Sequence, residues 1–215
     1  MRIVMKLDEN FKDNQQWNKK GLSINREFRE EDEVEFDIYD ELERGIAKLS
    51  MFLNPTMIVG EISRITIFDK NVNRHQLIKE FINYIYREQT DFKVLVLRVQ
   101  IQESGFKDFD LQCAGFYPNI DTFTWYHLNP HYEEVINMGT DDEEIKEILK
   151  ERVSKICLKK EKYMSRILQQ LEYTKEALEF FELEGNQQMA TYRRQEIEAY
   201  EAILNANEPK GFSRK

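Results

Sequence analysis

Hydrophobic and polar positions change their period several times before residue 138 and settle into a single one after it. Met1 to Leu7 alternates Ile3, Met5 and Leu7 with Arg2, Val4 and Lys6, which suits a strand with one mixed face. Asp8 to Glu33 is polar, with scattered anchors at Phe11, Trp17, Leu22, Ile24 and Phe28. Glu35 to Asp40 leads into an expected short helix, Glu41 to Leu53, closed by Asn54 and Pro55. From Met57 to Asp69 the text MIVGEISRITIFD predicts a strand by its Ile and Val density and its alternation. Asn73 then caps an expected helix, RHQLIKEFINYIYREQ, with an apolar stripe at Leu77, Ile78, Phe81, Ile82 and Ile85. FKVLVLRVQIQ predicts the next strand, and its unbroken VLVL centre suits burial on both faces. Ser104 to Ala114 predicts a short helix, and NIDTFTWYHL a further strand. Strand, helix, buried strand, short helix, strand is an α/β arrangement with a right-handed crossover.

After Met138 the pattern becomes helical. Thr140 is placed to cap, Asp141 to Glu143 favour a helix N-terminus, and Ile145, Leu149, Val153, Ile156, Met164, Ile167, Leu171, Leu178 and Phe181 recur at mostly three- and four-residue spacing. Lys159 to Lys162 interrupts this stripe and predicts a break or a change of face. Gly185 and Asn186 stop the helix, and a shorter one returns with Met189, Tyr192, Ile197, Tyr200 and Ile203 inward. The expected division is an α/β domain over 1–138, a helical hairpin over 139–208 and a basic tail over 209–215. That hairpin suits two roles equally, a cover for the α/β core or an arm for self-association or a protein partner.

Composition narrows the picture. Eight glycines and four prolines in 215 residues fall well below the roughly 26 of an average chain, which disfavours turn-rich all-β folds. No apolar run reaches the ~20 residues of a membrane span. A formal charge of −9 repels phosphate backbones, so nucleic acid is disfavoured as a partner. Cys113 and Cys157 stand far apart, and the opening residues turn acidic before any apolar run develops. Both observations point to a cytoplasmic chain with reduced thiols.

The stretch Met57 to Leu128 resembles the second half of the GNAT acyl-CoA N-acetyltransferase superfamily. EISRITIFD leads into a loop and an amphipathic helix, VLVLRVQI follows that helix, and CAGFYP is similar to the family's "lGFyp" signature. Glu61 to Arg64, Glu-Ile-Ser-Arg, is also similar to the E-x-S-R of acyl-homoserine-lactone synthases, and Glu35 to Asp40 to their upstream acidic element. The resemblance implies a mixed sheet flanked by helices and acetyl-CoA or another acyl-CoA as cofactor. It further implies acyl transfer from the thioester to an amine. Backbone groups of Ile65 and Ile67 would orient the pantetheine arm.

The residues depart from the family in stated places. Val72 and Arg74 occupy the two glycine positions of its pyrophosphate turn, so Lys70 and Arg74 are the expected phosphate contacts. Leu111 stands where the family has a tyrosine acid, leaving Tyr117 as the candidate acid. The strand pair that precedes the cofactor strand reads as missing or contracted. Glu61 is the candidate general base, because a strand carboxylate facing a cleft can take an amine proton; an ordinary exposed carboxylate paired to Arg64 or a lysine is the competing reading. His127 and His131 are four apart, but Asn129 and Pro130 break the helix a metal pair would need, and no metal is expected. Two functions therefore remain open: a divergent acyltransferase, or an inactive scaffold that binds a macromolecule through its acidic surface and helical arm.

Overall fold

The computed structural model describes residues 1–6, 33–53, 59–88, 93–101, 105–119 and 124–207. The expectations for Asp8 to Glu33 and for the basic tail lie outside the described residues, apart from Glu33 itself. A seven-stranded sheet runs in the order β1-β2-β3-β4-β5-β7-β6. Its strands are β1 (Arg2–Lys6), β2 (Glu33–Tyr39), β3 (Gly45–Leu53), β4 (Val59–Ile67), β5 (Val96–Gln100), β6 (Tyr117–Asn119) and β7 (Thr124–Leu128). Neighbours are antiparallel except β4 and β5, which are parallel and joined by α1 (Arg74–Asn83) and a π-helical turn at Tyr84–Glu88.

The expected helix at Glu41 to Leu53 is instead a turn followed by β3. Leu42, Ile46, Leu49 and Leu53 fit a helical stripe, whereas Ala47, Leu49, Met51 and Leu53 fit a strand. Pairing with β2 and β4 on both sides decided between them, and those four strand positions are buried. Where the sequence reads as if the strand pair ahead of β4 were missing or contracted, the β2–β3 hairpin stands beside β4. NIDTFTWYHL contributes to two strands, since Tyr117–Asn119 pairs antiparallel with Thr124–Leu128.

One sheet face packs against α1 and α2 (Asp108–Cys113). There Leu77, Ile78, Phe81, Ile82 and Leu111 meet Phe36, Leu49, Ile62 and Leu97. Phe36 and Phe81 pack edge to face at 5.0 Å. The other face meets α3 (Tyr132–Gly139) and the start of α4 (Glu143–Leu183), through Leu95, Val96, Val135, Ile136, Ile145, Leu149 and Val153. Val94 to Leu97 are at most 1% exposed, because β5 supplies both layers.

Three details differ from expectation in the helical part. Thr140 ends α3, and the cap of α4 is Asp142, whose carboxylate accepts from the N–H groups of Glu144 and Ile145. Lys159 to Lys162 do not break α4, which continues for 41 residues, about 60 Å; lysine is a good helix former, Lys159 and Lys162 face solvent, and Lys160 is half-buried. Tyr192 is 53% exposed rather than inward. The return helix α5 (Gln187–Asn207) brings Ile203 back to Ile167 and Cys113. The turn at Gly185 (φ 69°) therefore lies 18 residues beyond the last contact with the body at Ile167, roughly 27 Å out.

Candidate functional site

Strand β4 pairs with β5 only from Val59 to Ile62, against Val96 to Val99. Among the described residues, β4 beyond that point continues to Ile67 paired with β3 alone, and a β-bulge marks the separation. Ser50 faces Arg64 and Met51 faces Ile62, so Ser63 is the extra residue. The Ser63 hydroxyl donates to the Ser50 carbonyl at 3.1 Å, holding the bulge to β3. Ile65 and Ile67 lie on this unaccompanied part of β4.

Glu61 sits two residues before the bulge. It stands opposite Arg98 of β5, and the guanidinium donates to its carboxylate; the two side chains are 14% and 17% exposed. The competing expectation of a pair with Arg64 is thus replaced by a cross-strand pair with Arg98. Burial pulls the Arg98 guanidinium below its ordinary value, with the Tyr126 hydroxyl opposing as a hydrogen-bond partner. The group is still a cation near neutral pH, and it favours an ionised Glu61.

The row runs on through Tyr126 of β7 to Tyr117 of β6, their rings 6.2 Å apart. Tyr117 is 1% exposed and burial raises its phenol above the ordinary value. Three strand spacings separate it from Glu61, about 14 Å. The structure therefore does not bring Glu61 and Tyr117 to one reacting atom. Arg98 and Tyr126 are the neighbours that sequence reasoning passed over; Arg98 lies on the strand expected beside β4, and Tyr126 faces it from β7.

Ahead of α1, the loop uses its own donors. The Asn71 N–H donates to the Asp69 carboxylate at 2.9 Å, the Val72 N–H to the Asp69 carbonyl at 3.2 Å, and the Gln76 N–H to the Asn73 side chain. An anion from the chain itself thus occupies part of the polar environment that a helix start offers to phosphate. Arg74 turns away from this loop. Its Nε donates to Asp110 at 2.9 Å and a terminal nitrogen donates to the Gly105 carbonyl. Gly105 (φ 75°) lies so close to β4 that a Cβ there would stand 3.2 Å from the Ile65 carbonyl oxygen. Lys70 is exposed and lines a shallow surface cleft with Arg44, Phe68 and Asn71, apart from Arg74's partners.

His127 lies on β7 and His131 at the start of α3. Among the described residues, no three His, Cys, Asp or Glu side chains gather to hold a metal ion. Burial raises the Cys113 thiol, which packs with Ile167 and Ile203. No described helix is long and apolar enough to cross a membrane. No family model matches the chain, and no curated protein or solved structure matches it either.

Proposed function

We propose that this chain is a divergent acyltransferase of GNAT design, moving an acyl group from a CoA-type thioester to an amine. The observation that carries the reading is the parallel pair β4–β5, which parts at the Ser63 bulge. Past the bulge, β4 has no strand partner on its β5 side over Arg64–Ile67 among the described residues. A pantetheine arm, itself amide-containing, can hydrogen-bond along such an edge as a strand would. The mixed sheet with one parallel pair at its centre, and the GNAT-like residues around it, support the same reading.

Glu61 has the position of the base. The amine nitrogen attacks the thioester carbonyl, the C–S bond breaks, and the ammonium proton passes to the Glu61 carboxylate, directly or through one water. Arg98 holds the Glu61 carboxylate in place through its hydrogen bond. The thiolate takes its proton from solvent or from a nearer group than Tyr117, which is too far along the sheet. For the donor to lie against Ile65, the loop at Gly105 has to move, and the clasp of Arg74 on Asp110 and Gly105 has to open. Arg74 is then released towards the phosphates.

The same clasp favours a second reading, an inactive scaffold that binds a macromolecule, in which Arg74 and Gly105 close the gap for good. Titration calorimetry with acetyl-CoA separates the two. Binding at or below millimolar donor is expected, with Glu61→Gln retaining affinity and losing about 10²–10⁴-fold in turnover. Absence of heat at millimolar donor removes the acyltransferase and leaves the scaffold. Undiminished turnover in Glu61→Gln removes Glu61 as base.

A further inference from the structure

Helix α4 buries one face against the body and α5, through Ile145, Leu149, Val153, Ile167, Leu171 and Thr174. On its opposite face lies a second stripe, spaced three and four residues, that none of the described residues covers. Its distal half is Tyr173, Glu176, Phe180 and Leu183, with the three apolar side chains 67%, 57% and 88% exposed. Its proximal half is basic and equally exposed: Lys159, Lys162 and Arg166. Among the described residues, neither Glu176 nor these three cations form an ion pair. Three large exposed apolar side chains on one face of a projecting helix, with a single carboxylate among them, mark an interaction surface.

We infer that this stripe binds a second copy of the same chain, the two α4 helices running antiparallel about a two-fold axis near residue 171. The argument is charge complementarity within the stripe. A parallel pairing sets cation on cation and carboxylate on carboxylate. The antiparallel one sets Arg166 against Glu176, Lys162 over the Phe180 ring, Gln169 beside Tyr173, and the aliphatic stem of Lys159 along Leu183. Each contact occurs twice by symmetry. The three-four spacing is that of a coiled-coil seam, so the register persists along the helices. Leu183 reaches the partner's Lys159, just past Ile156 and Cys157, the last α4 residues packed with the sheet-side cluster. The inference stands apart from the acyltransferase reading.

The test uses the full chain and sedimentation equilibrium. A dimer at micromolar concentration is expected, weakened by salt. Arg166→Glu and Glu176→Arg each place two like-charge pairs in the seam and should weaken the dimer by about tenfold or more. An equimolar mixture of the two variants restores attraction at both pairs, so a heterodimer of near wild-type affinity is expected. Phe180→Ala should also weaken association. All three positions are solvent-facing, so circular dichroism should show unchanged helix content. A monomeric wild-type chain overturns the inference. So does a dimer whose affinity neither charge reversal alters, or a mixture that fails to pair.

Discussion

His127 shows how a single residue links packing to pH. Its ring is packed beside Tyr86 and Phe116, at 5.5 and 5.2 Å between ring centres, and the Tyr86 hydroxyl donates to the His127 carbonyl at 2.7 Å. Burial, with help from Lys160, depresses the imidazole from 6.5 to about 3. Below pH 6.5 the unfolded chain therefore takes up a proton that the fold refuses. The sign follows: stability is fully present above the unfolded value and falls as pH drops towards 3, by at most ~1.4 kcal/mol per pH unit. Urea unfolding between pH 7 and pH 3 should show this slope, and His127→Phe, which keeps the ring packing, should flatten it. An identical pH profile in the variant would show that another group carries the acid sensitivity. From sequence, His127 read only as a weak metal candidate, because nothing local reports that a ring will be enclosed by residues 41 and 11 positions away.

At the scale of elements, the Glu61–Arg98 pair ties β4 to β5 just before they part. Glu61→Gln leaves a largely buried guanidinium without its carboxylate, and a loss of about 1–3 kcal/mol in chemical denaturation is expected. Replacing both, Glu61→Gln with Arg98→Gln, should recover part of that loss, since neither charge is then stranded. A double variant weaker than the single one would mean that Arg98 is held by its bond to Tyr126 rather than by Glu61. The element pattern itself was readable where one periodicity dominates: β4, α1, β5 and the helical hairpin follow from their apolar spacing. It failed at Glu41 to Leu53, where two templates share Leu49 and Leu53, and flanking strands, not local preference, chose. The charged run at Lys159 to Lys162 does not break α4, and across it the packing of the helix passes from the sheet-side cluster, ending at Cys157, to the cluster at Tyr163 and Ile167.

At the scale of the molecule, the helical hairpin is attached at both ends of its body-facing side. The start of α4 covers the sheet, and the end of α5 returns to the turn after α2. Gly115 governs that second attachment. Its φ is 94°, and a Cβ there would lie 3.2 Å from His127 Nε2 and 3.3 Å from the Ala206 carbonyl oxygen. Gly115→Ala thus combines left-handed strain with pressure on α5, and a loss of about 1–3 kcal/mol is expected. Hydrogen exchange should show faster opening at residues 200–207, ahead of the distal hairpin. Unchanged protection there would mean that α5 does not depend on this contact.

Sequence alone determined the mixed α/β class, the long helical ending and the residues with chemical potential along β4, because hydrophobic period and side-chain chemistry are local properties. Tertiary structure decided which of those residues meet. It paired Glu61 with Arg98 rather than with Arg64 or a lysine, and it holds Arg74 on Asp110 and Gly105. It also set the bulge at Ser63 where β4 and β5 divide. Each of these depends on strand register and on loops that return from elsewhere in the chain, and a one-residue shift in register would exchange the two faces of the sheet.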